Sequence, residues 1–237
     1  MPSLPSTLPP PSANPIRRQF DGILSSYEEL AATALRTLHM EVRCRIVHSL
    51  CTALSPATAP YLLDQEVNEP DPPILALNAE LVAHDELAAR FLRAREVAFV
   101  RTGLGLLVAR YLVDNAPMVA PMNAKGCGRM QLNILVLQQN LKNVEDGVDL
   151  GRAARYYELF DLGPDAILER AREDAAAKTD GEKTDDAEAP FTYDELKALM
   201  ELCYSEQLAD PERGVGAAAK RQMADKLLNL SEYMWQS

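Results

Sequence analysis

The fold class of this chain is decided by the stretch Asn133-Ile134-Leu135-Val136-Leu137-Gln138-Gln139-Asn140-Leu141. Four consecutive apolar residues lead directly into three amide side chains, without a proline or glycine to interrupt them. A helix that is apolar over most of its circumference lies between neighbouring elements. We therefore expect residues 129–143 to form a packed helix. One or two of its amides should be buried and hydrogen-bonded to Asn133 or to the backbone ends of adjacent helices.

Helical periodicity and proline punctuation extend this interpretation to the rest of the chain. Alternating apolar residues separated by hairpin turns are not found, so the sequence predicts an all-α protein of about six helices. Capping boxes at Ser26-x-x-Glu29 and Thr192-x-x-Glu195 mark two helix starts. The predicted helices cover residues 23–54, 75–115, 129–143, 149–175, 192–209 and 216–234.

Glycine and proline set further local expectations. Gly103 and Gly105 inside the second helix indicate close packing against a neighbour or a kink, and Gly163-Pro164 should bend or restart the fourth helix. The Gly126-Cys127-Gly128 triplet is predicted to be a plain loop, as is the proline-rich stretch 61–73. A phosphate-binding loop at Gly103 and Gly105 is disfavoured, because a Gly-Lys-Ser/Thr sequence is missing.

Composition suggests a division into four segments. Residues 1–20 are rich in proline and serine and are predicted to be a disordered arm, in polyproline-II form if ordered. Residues 21–173 are predicted to form a helical bundle. Residues 174–190 carry charge and few large apolar side chains, which predicts a flexible acidic linker. Residues 191–237 are predicted to form a C-terminal helical pair.

The bulk composition bounds the class of protein. The chain has 237 residues, a net charge of −11 and 47% hydrophobic residues, and it contains no apolar run of the length of a membrane span. The negative charge argues against a nucleic-acid partner, because phosphate recognition requires a basic surface. The four scattered cysteines indicate free thiols in a reducing compartment, and the start lacks a secretory signal pattern. We expect a cytosolic protein without a transmembrane segment.

Residue patterns for chemistry are lacking. His39, His48 and His84 are the only histidines, and none lies at the one-turn spacing typical of zinc ligands. A Gly-x-Ser-x-Gly nucleophile elbow is missing as well. The sequence therefore predicts no catalytic residue, no cofactor-binding residue, no metal ligand and no cofactor.

Several side chains carry specific expectations. Burial is predicted for Leu38, Val42, Ile134, Leu137 and Leu141. Arg36 and Arg43 lie among charges on one side of the first helix, where they form either solvated pairs or contacts with another domain or subunit. We favour solvated pairs for Arg43 and leave Arg36 open.

Four blocks of the sequence resemble one protein family. They are residues 35–43 (LRTLHMEVR), Gly103-Leu104-Gly105, residues 133–143 (NILVLQQNLKN) and Tyr156-Tyr157-Glu158-Leu159, with a weaker echo at Gly214-Val215-Gly216. In order and rough spacing they resemble the C-terminal part of the large exocyst subunit called component four. The resemblance covers nearly the whole chain after about residue 25. The family's N-terminal coiled coil is not matched.

The resemblance implies a non-catalytic subunit, or a fragment of one, that tethers secretory vesicles to the plasma membrane before fusion. It implies stacked helical bundles that form part of an elongated rod, with other exocyst subunits as partners. Small GTPases or the fusion machinery would be reached through the complex, at sites of secretion on the plasma membrane. Two alternatives remain open: a cytosolic adaptor whose proline-rich arm binds SH3- or WW-type domains, and an all-α enzyme.

Overall fold

The computed structural model describes residues 15–57, 60–180, 190–210 and 213–235, with only the backbone for residues 176–180 and 213–214. These residues form ten α-helices and a short 3₁₀ helix, Ala116–Val119, and no strand. The first six helices are α1 (Pro15–Leu54), α2 (Pro72–Phe91), α3 (Ala94–Arg101), α4 (Leu104–Asp114), α5 (Ala124–Val144) and α6 (Gly151–Leu162). The others are α7 (Pro164–Asp180), α8 (Tyr193–Cys203), α9 (Ser205–Ala209) and α10 (Arg213–Trp235). The all-α prediction is confirmed.

The helices pack in a progression along the molecule. Helix α1 lies against α2, α3 and α4, helix α5 lies between α2 and α6, and helices α6, α7 and α8 pack on one another and lead to α10. One connected apolar core runs through them all, from Val42 on α1 to Leu230 on α10. This layered arrangement of helices agrees with the bundle type expected from the resemblance.

Helix α1 begins earlier than the sequence analysis predicted. It starts at Pro15, so residues 15–20 are helical and do not belong to an unstructured arm. Proline suits the first turn of a helix because its ring fixes φ near the helical value, and its missing N–H has no helical acceptor there. The rest of the proposed SH3-binding arm, residues 1–14, lies outside the described residues.

The predicted second helix is three helices. Helix α2 ends at Phe91, and α3 starts anew because the Glu96 carboxylate accepts a 2.9 Å hydrogen bond from the backbone N–H of Arg93. Helix α3 ends before Gly103, which has φ of +76°. Close packing at Gly105 is confirmed, since a Cβ there would lie 2.8 Å from Cγ1 of Val148.

Other helix boundaries also differ. Residues 192–209 contain two helices, which meet at Tyr204, and α7 continues to Asp180 into the predicted linker. Gly163-Pro164 separates α6 from α7 as predicted. The four-part division of the chain stays a prediction. The apolar core continues across the predicted boundary at residues 190 and 191, where the ring of Tyr156 on α6 lies 5.6 Å from the ring of Phe191, just before α8.

The Gly126-Cys127-Gly128 triplet is not a loop, and lies in the first turns of α5. The loop that precedes α2 is held against this end of α5. The side chain of Asn123 accepts a hydrogen bond from the backbone N–H of Leu63 and donates to the carbonyl of Leu63 at 2.9 Å. Glycine at position 126 allows this contact, because a Cβ atom at that position would lie only 1.8 Å from the carbonyl oxygen of Tyr61.

Candidate protein interface

The first half of α1 carries large apolar side chains that are largely exposed to solvent. All residues of α1 up to position 34 are exposed, which leaves about 30 Å of helix projecting from the core at 1.5 Å per residue. The apolar residues on this segment, here called the α1 stripe, are Ile16, Phe20, Ile23, Leu24, Tyr27 and Leu30, and they are 47–73% exposed.

The spacing within the α1 stripe defines the kind of surface it forms. Its members at positions 16, 20, 23, 27 and 30 are separated by four, three, four and three residues. This is the heptad spacing with which two helices pack side by side. A stripe of this kind is suited to pairing with another α-helix.

Helix α1 enters the core only in its second half. Val42, Ile46 and Leu50 are buried against α2 and α4, and Leu38 is half-buried at the transition. Burial of Val42 is therefore confirmed, whereas Leu38 lies at the core edge. The buried half anchors the helix so that the α1 stripe is held out from the bundle.

Arg43 anchors α1 to α3. Its guanidinium donates to the imidazole of His39 at 2.7 Å and to the carbonyl of Thr102 at 3.0 Å. The Thr102 carbonyl lies just beyond the end of α3, where a cation is favourable. The prediction of a solvated pair for Arg43 is wrong, because its guanidinium binds the backbone carbonyl at the C-terminal end of α3. The solvated pair on this helix joins Arg45 to Glu41, at 2.9 Å.

A groove lies where α1 meets α3. Its volume is about 510 Å³, and its walls carry apolar and cationic side chains. We call it the arginine groove, and its lining residues are Ala32, Leu35, Arg36, Arg93, Arg95, Glu96 and Phe99. Arg36, which the sequence left open, therefore belongs to a surface shared by two helices.

A separate apolar cleft lies between α1 and the end of α2. It has a volume of about 150 Å³, and Leu38 and Val100 lie in its wall. Phe91 and Leu87 stand at its rim with 80% and 55% exposure. Helix α1 contributes apolar side chains to the α1 stripe, to the arginine groove and to this cleft.

Two amide side chains of α5, Asn133 and Gln138, hydrogen-bond to neighbouring segments. Gln138 donates to the carbonyl of Val148 at 2.7 Å and accepts from the backbone N–H of Leu150 at 2.5 Å, which satisfies the start of α6. Asn133 is buried and donates to the carboxylate of Asp71 at 2.7 Å. The predicted contact with the backbone end of an adjacent helix is confirmed for Gln138. The predicted burial is not found in full, because Gln138 and Asn140 are half-buried and Gln139 is exposed. Burial is also confirmed for Ile134, Leu137 and Leu141.

A buried ionic network was missed by the sequence analysis. The Asp71 carboxylate, 1% exposed, pairs with the Arg129 guanidinium and accepts from the Tyr61 hydroxyl at 3.1 Å. The only local signal was that Asp71 precedes Pro72-Pro73 at a helix start. Asp71 is fully buried and the Arg129 side chain is 13% exposed, and together they fix the loop onto α5, so we assign the network a structural role.

Two cysteine thiols lie inside the bundle. Burial raises the pKa of the Cys127 thiol and of the Cys203 thiol to about 12 in each case. Thiols with such high pKa values are poor nucleophiles at neutral pH, because the thiolate is the reactive form. This arrangement is typical of structural cysteines.

Two other kinds of functional feature are absent from the part of the chain that the structure describes. The described residues contain no group of three or more His, Cys, Asp or Glu side chains arranged to hold a metal ion. None of the helices described is both long and apolar enough to cross a bilayer. The exposed apolar side chains of the α1 stripe make it a candidate site, since exposed apolar patches are suited to binding another protein.

Comparison with known proteins gives a consistent set of relatives. The chain is 66% identical to the probable exocyst complex component sec8 of Neurospora crassa over 245 aligned residues, which cover 92% of this chain and 22% of the relative. It is 29% identical to human exocyst complex component 4 over 67% of this chain, and 32% identical to the Drosophila melanogaster protein over 60% of it. The chain covers 16% and 15% of the lengths of these two relatives. No family model matches.

Proposed function

We propose that this chain, which is homologous to part of the exocyst component 4 (Sec8) proteins, serves as a non-catalytic segment of an exocyst subunit. The observation that carries the proposal is its 66% identity to the Neurospora crassa protein over 92% of the chain. In this role it contributes to tethering secretory vesicles to the plasma membrane before fusion. The chain spans about a fifth of the length of that relative, so it acts as one part of a longer tether.

The α1 stripe supports a binding role. Six large apolar side chains on a projecting helix would be unfavourable in water unless another helix covers them. Heptad spacing favours an α-helical partner, and helical bundles packed against one another would build a rod from such segments. We assign the α1 stripe to contact with a helix of the assembled exocyst.

The same proposal assigns partners and location. Other exocyst subunits are the direct partners, and small GTPases or the fusion machinery act through the complex. The protein works in the cytoplasm at sites of secretion on the plasma membrane. It has no reaction of its own, which accords with core cysteines of raised pKa and a buried ionic network that serves packing.

The test is a segment exchange in Neurospora crassa. The segment of the sec8 relative that matches this chain is replaced by this chain, and a second strain lacks the segment altogether. We expect the chimera to recover the other exocyst subunits and to support protein secretion, and the deletion to fail in one or both. If the chimera accumulates normally but performs no better than the deletion, the proposed function is wrong.

A point variant tests the α1 stripe separately. Phe20→Glu together with Leu30→Glu places two charges on the stripe, whereas Leu162→Glu alters an apolar side chain on α6 that is 65% exposed, like Leu30. We expect the stripe variant to lower recovery of exocyst subunits at least several-fold and the α6 variant to leave it unchanged. If the unaltered chain, the stripe variant and the α6 variant recover equal amounts of exocyst subunits, the α1 stripe is not part of the interface.

A further inference from the structure

We propose that residues 15–25 of α1, here called the α1 tip, convert between the helix described above and a coil. In the free chain α1 begins at Ser26, and a partner helix that covers the α1 stripe extends it to Pro15. The inference rests on the proposed function, which supplies the partner. It adds that the binding surface is completed only when the partner arrives.

The first argument is that the chain contains one helix-start sequence twice. Residues 26–30 read SYEEL, and residues 192–196 read TYDEL. At the second site this sequence starts α8. The Thr192 hydroxyl accepts the backbone N–H of Glu195 at 3.2 Å, and the Glu195 carboxylate accepts the backbone N–H of Thr192 at 2.6 Å. Serine serves in this capping box as threonine does, so residues 26–30 can start a helix with the same two hydrogen bonds.

Ser26 does not act as a cap in the extended helix. Its hydroxyl donates to the carbonyl of Gly22 at 3.0 Å, one turn earlier. A serine that bonds back to the preceding turn slightly destabilises a helix. The capping hydrogen bonds form only when the helix begins at Ser26, and they compensate the shorter helix for the turns that it lacks.

The second argument is the charge at the two alternative starts. In the extended helix the first turn contains no acidic side chain, and Arg17 and Arg18 lie in it. The partial positive charge at a helix N-terminus favours carboxylates and disfavours cations. A start at Ser26 places Glu28 and Glu29 in the first turn instead. The charges therefore favour the shorter helix.

The third argument is the weak support for the α1 tip as a helix. All of its residues are exposed. Glycine and serine, at Gly22 and Ser25, are weak helix formers. A Cβ at Gly22 would meet no atom within 4 Å among the described residues, so packing does not require glycine there. A helical extension of this length is marginal in water without a packed face.

A partner helix reverses the balance, because only the extended helix aligns the apolar side chains on one face. Four members of the α1 stripe lie in the α1 tip and are 47–73% exposed there: Ile16, Phe20, Ile23 and Leu24. Their burial against a partner stabilises the helical form selectively. Tyr27 and Leu30 follow Ser26 and are helical in both forms, so they can make the first contact.

Hydrogen exchange of the free full chain, followed by mass spectrometry, tests the α1 tip directly. The first four N–H groups of a helix have no helical acceptor, so residues 19–25 are the informative ones. We expect their amides to exchange within about ten-fold of the rate of an unstructured chain, while those of residues 46–50 in the core are slowed at least about 1,000-fold. In the exocyst purified from the chimeric strain, the amides of residues 19–25 should be slowed at least about ten-fold relative to the free chain.

Two double variants isolate the cap. Gly22→Ala with Ser25→Ala and Gly22→Ala with Ser26→Ala make the same changes in residue type, but only the second removes the capping box. Both should slow exchange of residues 19–25 in the free chain. The second should slow it about two- to five-fold more, the effect expected from the loss of one N-cap. Ser26→Thr retains the cap and should leave the exchange rate unchanged.

Three results would overturn the inference. The first is protection of residues 19–25 in the free chain beyond about ten-fold. The second is exchange in the purified exocyst as fast as in the free chain, and the third is equal exchange in the two double variants. Measurements on the free chain require no partner. A protected α1 tip with intact recovery of exocyst subunits therefore refutes the conversion alone, whereas failed recovery refutes the proposed function.

Discussion

The close contact between α5 and the preceding loop yields a sharp prediction for Gly126→Ala. The new Cβ would lie 1.8 Å from the carbonyl oxygen of Tyr61 and 2.7 Å from its carbonyl carbon. Carbon–oxygen contacts of this type are normally about 3.3 Å long, so the loop or the helix must move by about 1.5 Å. Backbone atoms cannot rotate away as a side chain can, and both segments are held by other contacts.

The magnitude follows from three contributions. Overpacking a core position costs about 1–3 kcal/mol, and here the upper end applies because the obstacle is backbone. Displacing Tyr61 also lengthens the 3.2 Å hydrogen bond that its carbonyl accepts from Asn123, a loss of about 1 kcal/mol. Alanine regains about 1 kcal/mol through its helix propensity. The net destabilisation should be about 3 kcal/mol.

Gly128 supplies a matched control two residues further along the same helix. A Cβ at Gly128 would meet no atom within 4 Å. Gly128→Ala should therefore stabilise the protein by about 0.5–1 kcal/mol, since it gains helix propensity without a steric cost.

Urea unfolding followed by far-ultraviolet circular dichroism measures both changes. Trp235 is 81% exposed, so its fluorescence is a weaker reporter of the core. The two variants should shift the unfolding midpoint in opposite directions. If Gly126→Ala unfolds at the same urea concentration as the unaltered chain, or higher, then α5 does not approach Tyr61 as described.

Three further predictions concern the core. Leu137→Ala, at a fully buried position, should lower the free energy of unfolding by about 2–5 kcal/mol, while Leu135→Ala, at a 52% exposed one, should cost well under half as much by urea unfolding. Asp71→Ala should cost about 3–5 kcal/mol, because it leaves the Arg129 cation buried without its partner; a cost below about 1 kcal/mol would contradict the network. Mass spectrometry after iodoacetamide treatment at pH 8 should find two alkylated thiols in the folded protein and four in urea. Fast alkylation of all four thiols in the folded protein would contradict the burial of two of them. The protected thiols are Cys127 and Cys203.

Local sequence patterns determined the secondary structure and much of the core. Apolar spacing predicted helices and buried Val42, Ile134, Leu137 and Leu141, because a helix turns by a fixed angle per residue and thereby sorts side chains onto faces. Proline and glycine signals located the break at Gly163-Pro164 for the same local reason. These signals missed the break at Arg93, where neither proline nor glycine is present. A new helix starts there because the carboxylate of Glu96 accepts a hydrogen bond from the backbone N–H of Arg93.

The tertiary structure alone decided which of these faces are covered. Gly126 and Gly128 look alike in the sequence, yet only Gly126 faces the backbone of a loop more than sixty residues earlier. The same holds for Arg43, whose acceptor at Thr102 is 59 residues away, and for the arginine groove, which combines α1 with α3. Periodicity reveals that a helix has an apolar face, as on the α1 stripe. Whether that face is buried depends on which distant segment packs against it, and one-dimensional spacing does not contain that information.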